Sequence, residues 1–462
     1  MAVKAALNKF SYLPWIVGFG LLIENIDVLI INTAIPQMAH TLATEPITLK
    51  IGITSYLLTL AACIPISGYI ADRFGSKTIF AWAMIVFLLG SVLCGFADHV
   101  WQLVVGRLVQ GAGGSMMAPV GRLILLRAFP REQFVKAFSA LTLLGQMGVA
   151  IGPVLGGALV KFFSWRFVFF VNLPIGIIAL LLIYFWVENT RAAVIPKFDF
   201  YGFSLFGIGI GLVIFSFSML AEQASETVVA LLLLSMGSII LSVFSYHCYK
   251  TPEPSLAIDL FKIRTFKIAV LGSFLIRIGM GGLPFLLPLL FQLGWGQNAL
   301  QSGLWLLPYG LAMLIAKPLV GRILSYWGFR KLLILTPFVI SLILLSFSLI
   351  LYHYSFALML IIVSLLGFFS SLQFTFMNIL NFVDITAENT AKATSVASVF
   401  QQVAMSFGIC TAAFLLILFN KTLIGVTIKV AAFHYTLIGL AVIVLLPVLL
   451  FRQLKSIDGQ LI

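Results

Sequence analysis

Ile23-Glu-Asn-Ile-Asp-Val-Leu-Ile-Ile-Asn-Thr-Ala-Ile-Pro36 places two carboxylates, Glu24 and Asp27, inside a run that is otherwise apolar from Tyr12 to Ile35. A run of that length crosses a bilayer as a helix. An acidic side chain at mid-helix costs roughly 2.5–3.5 kcal/mol on insertion scales. Such a group is retained when it has a partner or a proton to carry. The rest of the chain repeats the apolar pattern. Of 462 residues, 61% are hydrophobic and 9% are charged, whereas soluble domains carry about 25% charged residues. Lipid excludes unpaired backbone, which leaves helix bundles or closed barrels. The apolar runs are long and do not alternate, so the reading is an all-α polytopic membrane protein of about fourteen spans.

The net charge of +13 is not a nucleic-acid signal here. Arg73, Lys77, Arg127, Arg191, Lys197, Lys250, Lys262, Arg264, Arg330 and Lys331 fall in loops on one side, with Lys4 and Lys9 before the first span. The other side has only Lys50, Lys161, Arg166, Lys421 and Lys429. Basic loops stay inside, which predicts cytoplasmic termini. The expected division is 1–190 for a first six-helix half, 191–250 for two linking helices, and 251–462 for a second six-helix half. Gly68-Tyr-Ile-Ala-Asp72-Arg73-Phe-Gly75-Ser-Lys77 and Gly321-Arg-Ile-Leu-Ser325-Tyr-Trp-Gly328-Phe-Arg330-Lys331 follow the second span of each half. Paired halves of this kind are common in secondary transporters. The second copy has Ser325 where the first has Asp72.

Arg107, Arg122, Arg277 and Lys317 are the buried cations to set against Glu24 and Asp27. Glu24 and Asp27 share a helical face, and either can pair with Arg107. The pair is then a fixed bridge between helices or a carboxylate that trades its cation for a proton. The surplus of cations suggests tolerance of anionic cargo. Asp72 and Arg73, between Gly68 and Gly75, suit either a plain turn or a conformational latch across the two halves. Gly145, Gly148, Gly152, Gly156 and Gly157 let helices touch, and Pro153 kinks theirs. Asn25, Gln146 and the stretch from Arg277 to Pro288 are candidate cargo contacts, with Lys317 beside them. Gly279, Gly281, Gly282 and Pro284 suggest a broken helix there. Gly75-Ser-Lys77-Thr lacks the first glycine of a P-loop, so ATP is not the energy source. Cys63, Cys94, Cys248 and Cys410 read as packing residues. His40, His99, His247, His353 and His434 read as loop or span-end residues without metal spacing. No catalytic group, metal site or cofactor is expected.

These motifs resemble the major facilitator superfamily, in particular its fourteen-helix drug:proton antiporter branch (EmrB/QacA type). Asp27 to Pro36 is similar to the helix-1 motif and Gly68 to Lys77 to the loop 2–3 motif, with Ser76 where a basic residue is usual. Leu103, Arg107, Gln110, Gly111 and Gly113 are similar to the helix-4 motif. Gly148-x-x-x-Gly152-Pro153-x-x-Gly156-Gly157 resembles the antiporter motif of helix 5. Trp165-Arg166, Phe169, Asn172, Pro174 and Gly176 fit the following region. Pro119-Val-Gly-Arg122 and Arg277-Ile-Gly resemble the MdtD-type subgroup. The resemblance implies export of small molecules, whether drugs, metabolites or metal chelates, by alternating access across a bacterial inner membrane. The proton gradient drives it, with cargo, protons and the lipid bilayer as partners. The sequence carries no reading of a periplasmic adaptor. Proton coupling falls to Asp27, a partner role to Arg107, gating to Asp72, and antiport-specific packing to Gly152, Pro153 and Gly156. Glu24 lies outside the motif: a second proton site, a cargo contact or a partner for Arg122. A symporter or facilitator of the same fold, or a non-transporting sensor, are the alternatives.

Overall fold

In the computed structural model the backbone is described for residues 2–129, 131–192, 197–222, 227–350, 356–386, 389–422, 430–455 and 458. The side chains of Lys4, Lys9, Lys421 and Lys429, and all of His353, lie outside what is described. Among the described residues every regular element is a helix. The order is α1 (Ala2–Thr41), α2 (Lys50–Phe74), α3 (Ser76–Gly95), α4 (Val100–Ala128), α5 (Arg131–Phe162), α6 (Phe167–Phe170) and α7 (Asn172–Trp186). Next come α8 (Phe200–Glu222), α9 (Thr227–Lys250), α10 (Arg264–Met280), α11 (Leu283–Leu289) and α12 (Ala299–Ala316). The chain closes with α13 (Val320–Ile350), α14 (Phe356–Leu380), α15 (Thr390–Thr422), α16 (Val430–Leu445) and α17 (Val448–Phe451).

Length and hydropathy mark 12 segments as able to cross a membrane. One of them, Ala299–Ile350, is 52 residues long, too long for a single crossing at ~30 Å of hydrocarbon. It holds α12 and α13 and bends at Gly328, whose φ is 70°. The 29-residue α4 is not among the twelve. Its glycines and its arginines at 107, 122 and 127 lower its mean hydropathy, yet it is the helix most closely enclosed by α2 and α3.

Glycine contacts set the packing directions. α1 runs parallel to α5, with Gly145 against Leu21 and Asn25, Gly148 against Leu22 and Ile26, Gly152 against Ile26 and Leu29, and Gly156 against Ile30 and Thr33. A methyl on any of these would press on α1, so small residues permit the approach. α12 runs antiparallel to α5: Ala299 and Leu300 meet Gly157, Gly303 meets the Pro153 carbonyl, and Gly310 meets Ala150. The α12 contacts lie toward the end of the bundle where α1 finishes. There Gln292 Nε2 donates to the Thr33 carbonyl at 3.0 Å. α1 and α5 are therefore sealed against α12 and the turn that holds Gln292 at that end.

A second core is built from Ala61 and Ile64 of α2, Phe206, Ile210 and Ile214 of α8, Phe244 of α9, Val270 of α10, and Val396, Val399 and Val403 of α15. The α8–α9 hairpin thus packs over the seam where α2 meets α15. α9 presents most of its surface outward, including Leu232, Ile239 and Tyr246. Lys50, expected in an outer loop, is instead fully buried at the start of α2 and donates toward the Ser218 carbonyl of α8 at 3.4 Å. His247 is at a span end, as expected. It sits in the last turn of α9 and bonds Asp199 at 2.8 Å. The expected break in the ninth span is present: α10 stops at Met280, Gly281 and Gly282 turn the chain, and α11 resumes at Leu283.

Candidate functional site

Asp27 is fully buried where α1, α3, α4 and α7 converge. Its Oδ2 accepts from Arg107 Nη1 at 2.5 Å. Its Oδ1 accepts from Gln110 Nε2 at 2.6 Å and from Asn172 Nδ2 at 3.0 Å. Ser91 Oγ takes further bonds from Gln110 at 2.9 Å and Asn172 at 3.2 Å. Arg107 is also fully buried. Its Nε donates to the Gly52 carbonyl at 2.9 Å, and its guanidinium stacks on the Tyr56 ring at 4.2 Å. A buried pair offsets its desolvation only when the remaining lone pairs and protons are satisfied, and here most are. The exceptions are Arg107 Nη2 and Asn172 Oδ1, which have no partner. The Gly52 bond works because α2 lies against α4 at Gly111 and Gly114, where a Cβ would strike Tyr56 and Thr59.

Of the expected residues, Asp27 and Arg107 are joined and Glu24 is not. Glu24 sits one turn earlier on α1, half-buried, with Oε2 enclosed and unbonded. Gln110 and Asn172 are marked in the sequence only by motif resemblance. Ser91 and Tyr56 were not anticipated, because a lone hydroxyl in an apolar span carries no pattern. Asn25 bonds the carbonyl of Leu21 in its own helix at 2.8 Å. Gln146 keeps Oε1 buried and unbonded. Arg277 is nearly buried, donates to Ser273 Oγ at 2.6 Å and lies on the Phe374 ring at 4.4 Å. Lys317 is half-buried in a short 3-10 turn after α12. These four are spread over α1, α5, α10 and the end of α12, and the structure does not gather them into one cluster.

At the opposite end of the bundle, Asp72 Oδ1 accepts from Arg127 Nη2 at 2.5 Å. Arg127 also donates to the Thr190 carbonyl at 3.0 Å. The latch expected across the halves is therefore tied within the first six spans, because the segment after α7 folds back over the α2–α3 corner. Ser76 N donates to the Thr190 carbonyl at 3.0 Å, and Lys77 Nζ to the Tyr184 carbonyl at 2.7 Å. Arg73 is exposed, donates to the Tyr69 hydroxyl at 2.8 Å and lies over the Phe74 ring at 5.4 Å. Gly75 makes the corner with φ 101°, a conformation that favours glycine, and its Cα face abuts the Asn189 amide. A methyl group added at Gly68 would meet nothing within 4 Å, so this glycine serves no packing there.

The family model of the Major Facilitator Superfamily matches residues 17–409. The chain is 34% identical over 454 residues to a protein of Enterobacter sp. (strain 638) provisionally named multidrug resistance protein MdtD, covering 97% of this chain and 96% of that one. The protein of the same provisional name from Salmonella typhimurium is 34% identical over 455 residues, with coverage of 96% and 95%. Among solved structures, the chain is similar to the inward-open xylose transporter XylE from E. coli, with a TM-score of 0.66, 14% identity and coverage of 98% and 99%. It is also similar to a bacterial homologue of the lysosomal transporter Spinster in an inward-facing state, with a TM-score of 0.69, 14% identity and 96% coverage of each chain. These two likenesses bear on the fold alone.

Proposed function

The chain belongs to the Major Facilitator Superfamily, and on that premise we propose that it is a proton-coupled antiporter of a bacterial inner membrane, exporting small molecules by alternating access. The family is one of transporters and not of enzymes. Its members take small-molecule substrates across a bilayer, and the many apolar spans make this chain a multi-pass membrane protein. Dividing Ala299–Ile350 at Gly328 and adding α4 brings the spans to fourteen. The proposed division is 1–190 and 251–462 for the two halves, with 191–250 as the linking hairpin, and both termini in the cytoplasm. The sealed end is then the periplasmic one.

The observation that carries the reading is Asp27: a fully buried carboxylate, paired with Arg107, on the helix whose other flank rides the glycine row of α5. A proton arriving from outside neutralises Asp27. Arg107 then keeps only Gly52, Gln110 and Tyr56, and the contact that fixes α1 to α4 weakens. α1 and the Gly148–Gly157 face of α5 shift together against α12, and access changes sides. Each charge carried down the membrane potential supplies about 2.3 kcal/mol per 100 mV. Asp72 with Arg127 holds the cytoplasmic corner of the first half in this state. The provisional naming of the relatives for multidrug resistance supports export, with drugs, metabolites and metal chelates as cargo classes.

Metabolite profiling of a knockout and an overexpressing strain selects a compound, and everted vesicles test it. The compound should accumulate when the vesicle interior is made acidic and collapse when the gradient is dissipated. Asp27→Asn should abolish the dependence on the gradient. Accumulation indifferent to the gradient, in the wild type, would make the protein a facilitator instead.

A further inference from the structure

Two half-buried charges take no part in the arrangement above. Glu24 Oε2 is enclosed and has no hydrogen-bond partner, and Arg122 Nε is in the same condition on α4. Each is the other's strongest charged neighbour: Arg122 acts on Glu24 before Asp27 does, and Glu24 acts on Arg122. Yet among the described residues the ion pairs within 4.0 Å are Arg107–Asp27, Arg127–Asp72, Arg166–Asp98, His247–Asp199 and Arg264–Asp458. Glu24 and Arg122 belong to none. The Arg122 guanidinium lies instead over the Phe138 ring of α5, at 5.8 Å. A third unbonded group, the fully buried Tyr56 hydroxyl, lies near Glu24 and Asp27 and faces Gly114 of α4.

Opposite charges enclosed in protein close on one another unless the frame holds them apart. Here the frame does so. α1 is fixed to α5 by Gly145, Gly148 and Gly152, and α4 to α2 by Gly111 and Gly114. The outcome is a carboxylate on α1 and a guanidinium on α4 held apart, each with an enclosed, unbonded atom. A molecule that brings a donor cation to Glu24 and an anionic acceptor to Arg122 satisfies both poles at once.

Linkage chooses among cargo charges, given the antiport reading on which this inference rests. An antiporter needs proton and cargo to exclude each other, and mutual effects on binding are reciprocal. Asp27 is closed to cargo, since it is fully buried and already accepts three hydrogen bonds. Glu24 is open to it. A cargo ammonium on Glu24 displaces the proton there. A purely anionic cargo would do the opposite: protonating Glu24 removes a negative charge that repels an anion at Arg122, so proton and anion would enter together. We propose that Glu24 and Arg122 are the two poles of the cargo slot, and that the cargo is amphoteric, carrying a protonated amine and a carboxylate or similar anion.

The test uses purified full-length protein and three fluorescent probes: Nε-dansyl-lysine, its methyl ester, which keeps only the amine charge, and its Nα-acetyl derivative, which keeps only the carboxylate. The zwitterion should bind at least about tenfold more tightly than either relative. Its binding should release protons in weak buffer. The other ionisable groups facing Glu24 are Asp27 of α1, Tyr56 of α2 and Arg122 of α4, with Arg107 behind Asp27. α5 meets this turn with Gly145 and Gly148, and α7 has no charged side chain. Glu24→Gln should erase both the proton release and the preference over the acetyl derivative, while keeping the preference over the ester. Arg122→Gln should do the reverse. Glu24→Asp, which keeps the charge, should retain the zwitterion preference and so separates charge from folding. Equal binding of all three probes, no saturable binding of the zwitterion up to about 1 mM, or proton uptake on binding would overturn the proposal. Zwitterion preference without gradient-driven flux would leave the slot standing and remove the antiport reading. Gradient-driven flux without the preference would do the converse.

Discussion

Arg107 holds Asp27 with one nitrogen, the Gly52 carbonyl with another and the Tyr56 ring with its face. Taking one partner from a buried pair leaves a bare charge, at about 3–5 kcal/mol. Arg107→Ala should therefore lower the melting temperature in detergent sharply, and the double variant Arg107→Gln with Asp27→Asn should recover much of the loss. Arg107→Lys should recover little, because an ammonium cannot serve carboxylate, carbonyl and ring in one plane. The acid and the arginine were legible in the sequence, as charges that an apolar span cannot leave alone. The choice between Glu24 and Asp27 was not legible from charge, since both sit on one face of α1. Geometry separates them: Asp27 accepts from Arg107, Gln110 and Asn172, whereas Glu24 keeps Oε2 unbonded. Ser91 was invisible because its role depends on two amides brought from α4 and α7.

At the scale of elements, the corners after α2 and within α13 carry the same glycine at the same place in the repeat. Gly75 has φ 101° and Gly328 has φ 70°. Gly75 is wedged against Asn189, whereas Gly328 has open space around it. Gly328→Ala should cost about 1–2 kcal/mol from backbone strain alone. Gly75→Ala should cost more and loosen the Ser76–Thr190 tie, seen as faster proteolysis after Glu188. The repeated glycine spacing was readable in advance, but the direction of the Asp72 latch was not. That direction depends on Thr190 and Asn189, in a stretch with no motif. The α8 start offers a pH test. Burial of the Asp199 carboxylate opposes its charge. The Gly202 N–H, His247 and the Ser255 N–H outweigh that, and they hold its pKa below the ordinary 3.8. A depressed carboxylate contributes stability that is complete above its unfolded pKa and lost as pH falls through the folded one. Asp199→Ala should thus lower stability at neutral pH, by about 1 kcal/mol for the lost helix cap, and flatten the acid limb of a melting-temperature profile taken below pH 4.

For the whole molecule, composition sufficed for the helical class. Span counting was harder. α4 owes its low hydropathy to the arginines and glycines that the site and its packing need, and the break that divides Ala299–Ile350 is the single residue Gly328 inside α13. The place of the linking hairpin could not be read, because α8 and α9 carry no buried charge to mark a partner. The structure lays α8 along the seam of α2 and α15, sharing a core with Ile64, Val270 and Val396. Excising residues 197–250 and rejoining the ends should leave no monodisperse protein on size-exclusion chromatography, even with a flexible replacement linker. A monodisperse product with intact transport would show the hairpin to be dispensable.

The enclosure of Asp27 has a bioenergetic consequence. A carboxylate with no solvent access exchanges protons with neither compartment at rest, so an idle molecule conducts no current. Cells can then keep many copies in the membrane without draining the potential that powers their ATP synthesis. Proton entry becomes an event tied to a turnover, and the resting leak of vesicles packed with this protein should match that of bare lipid.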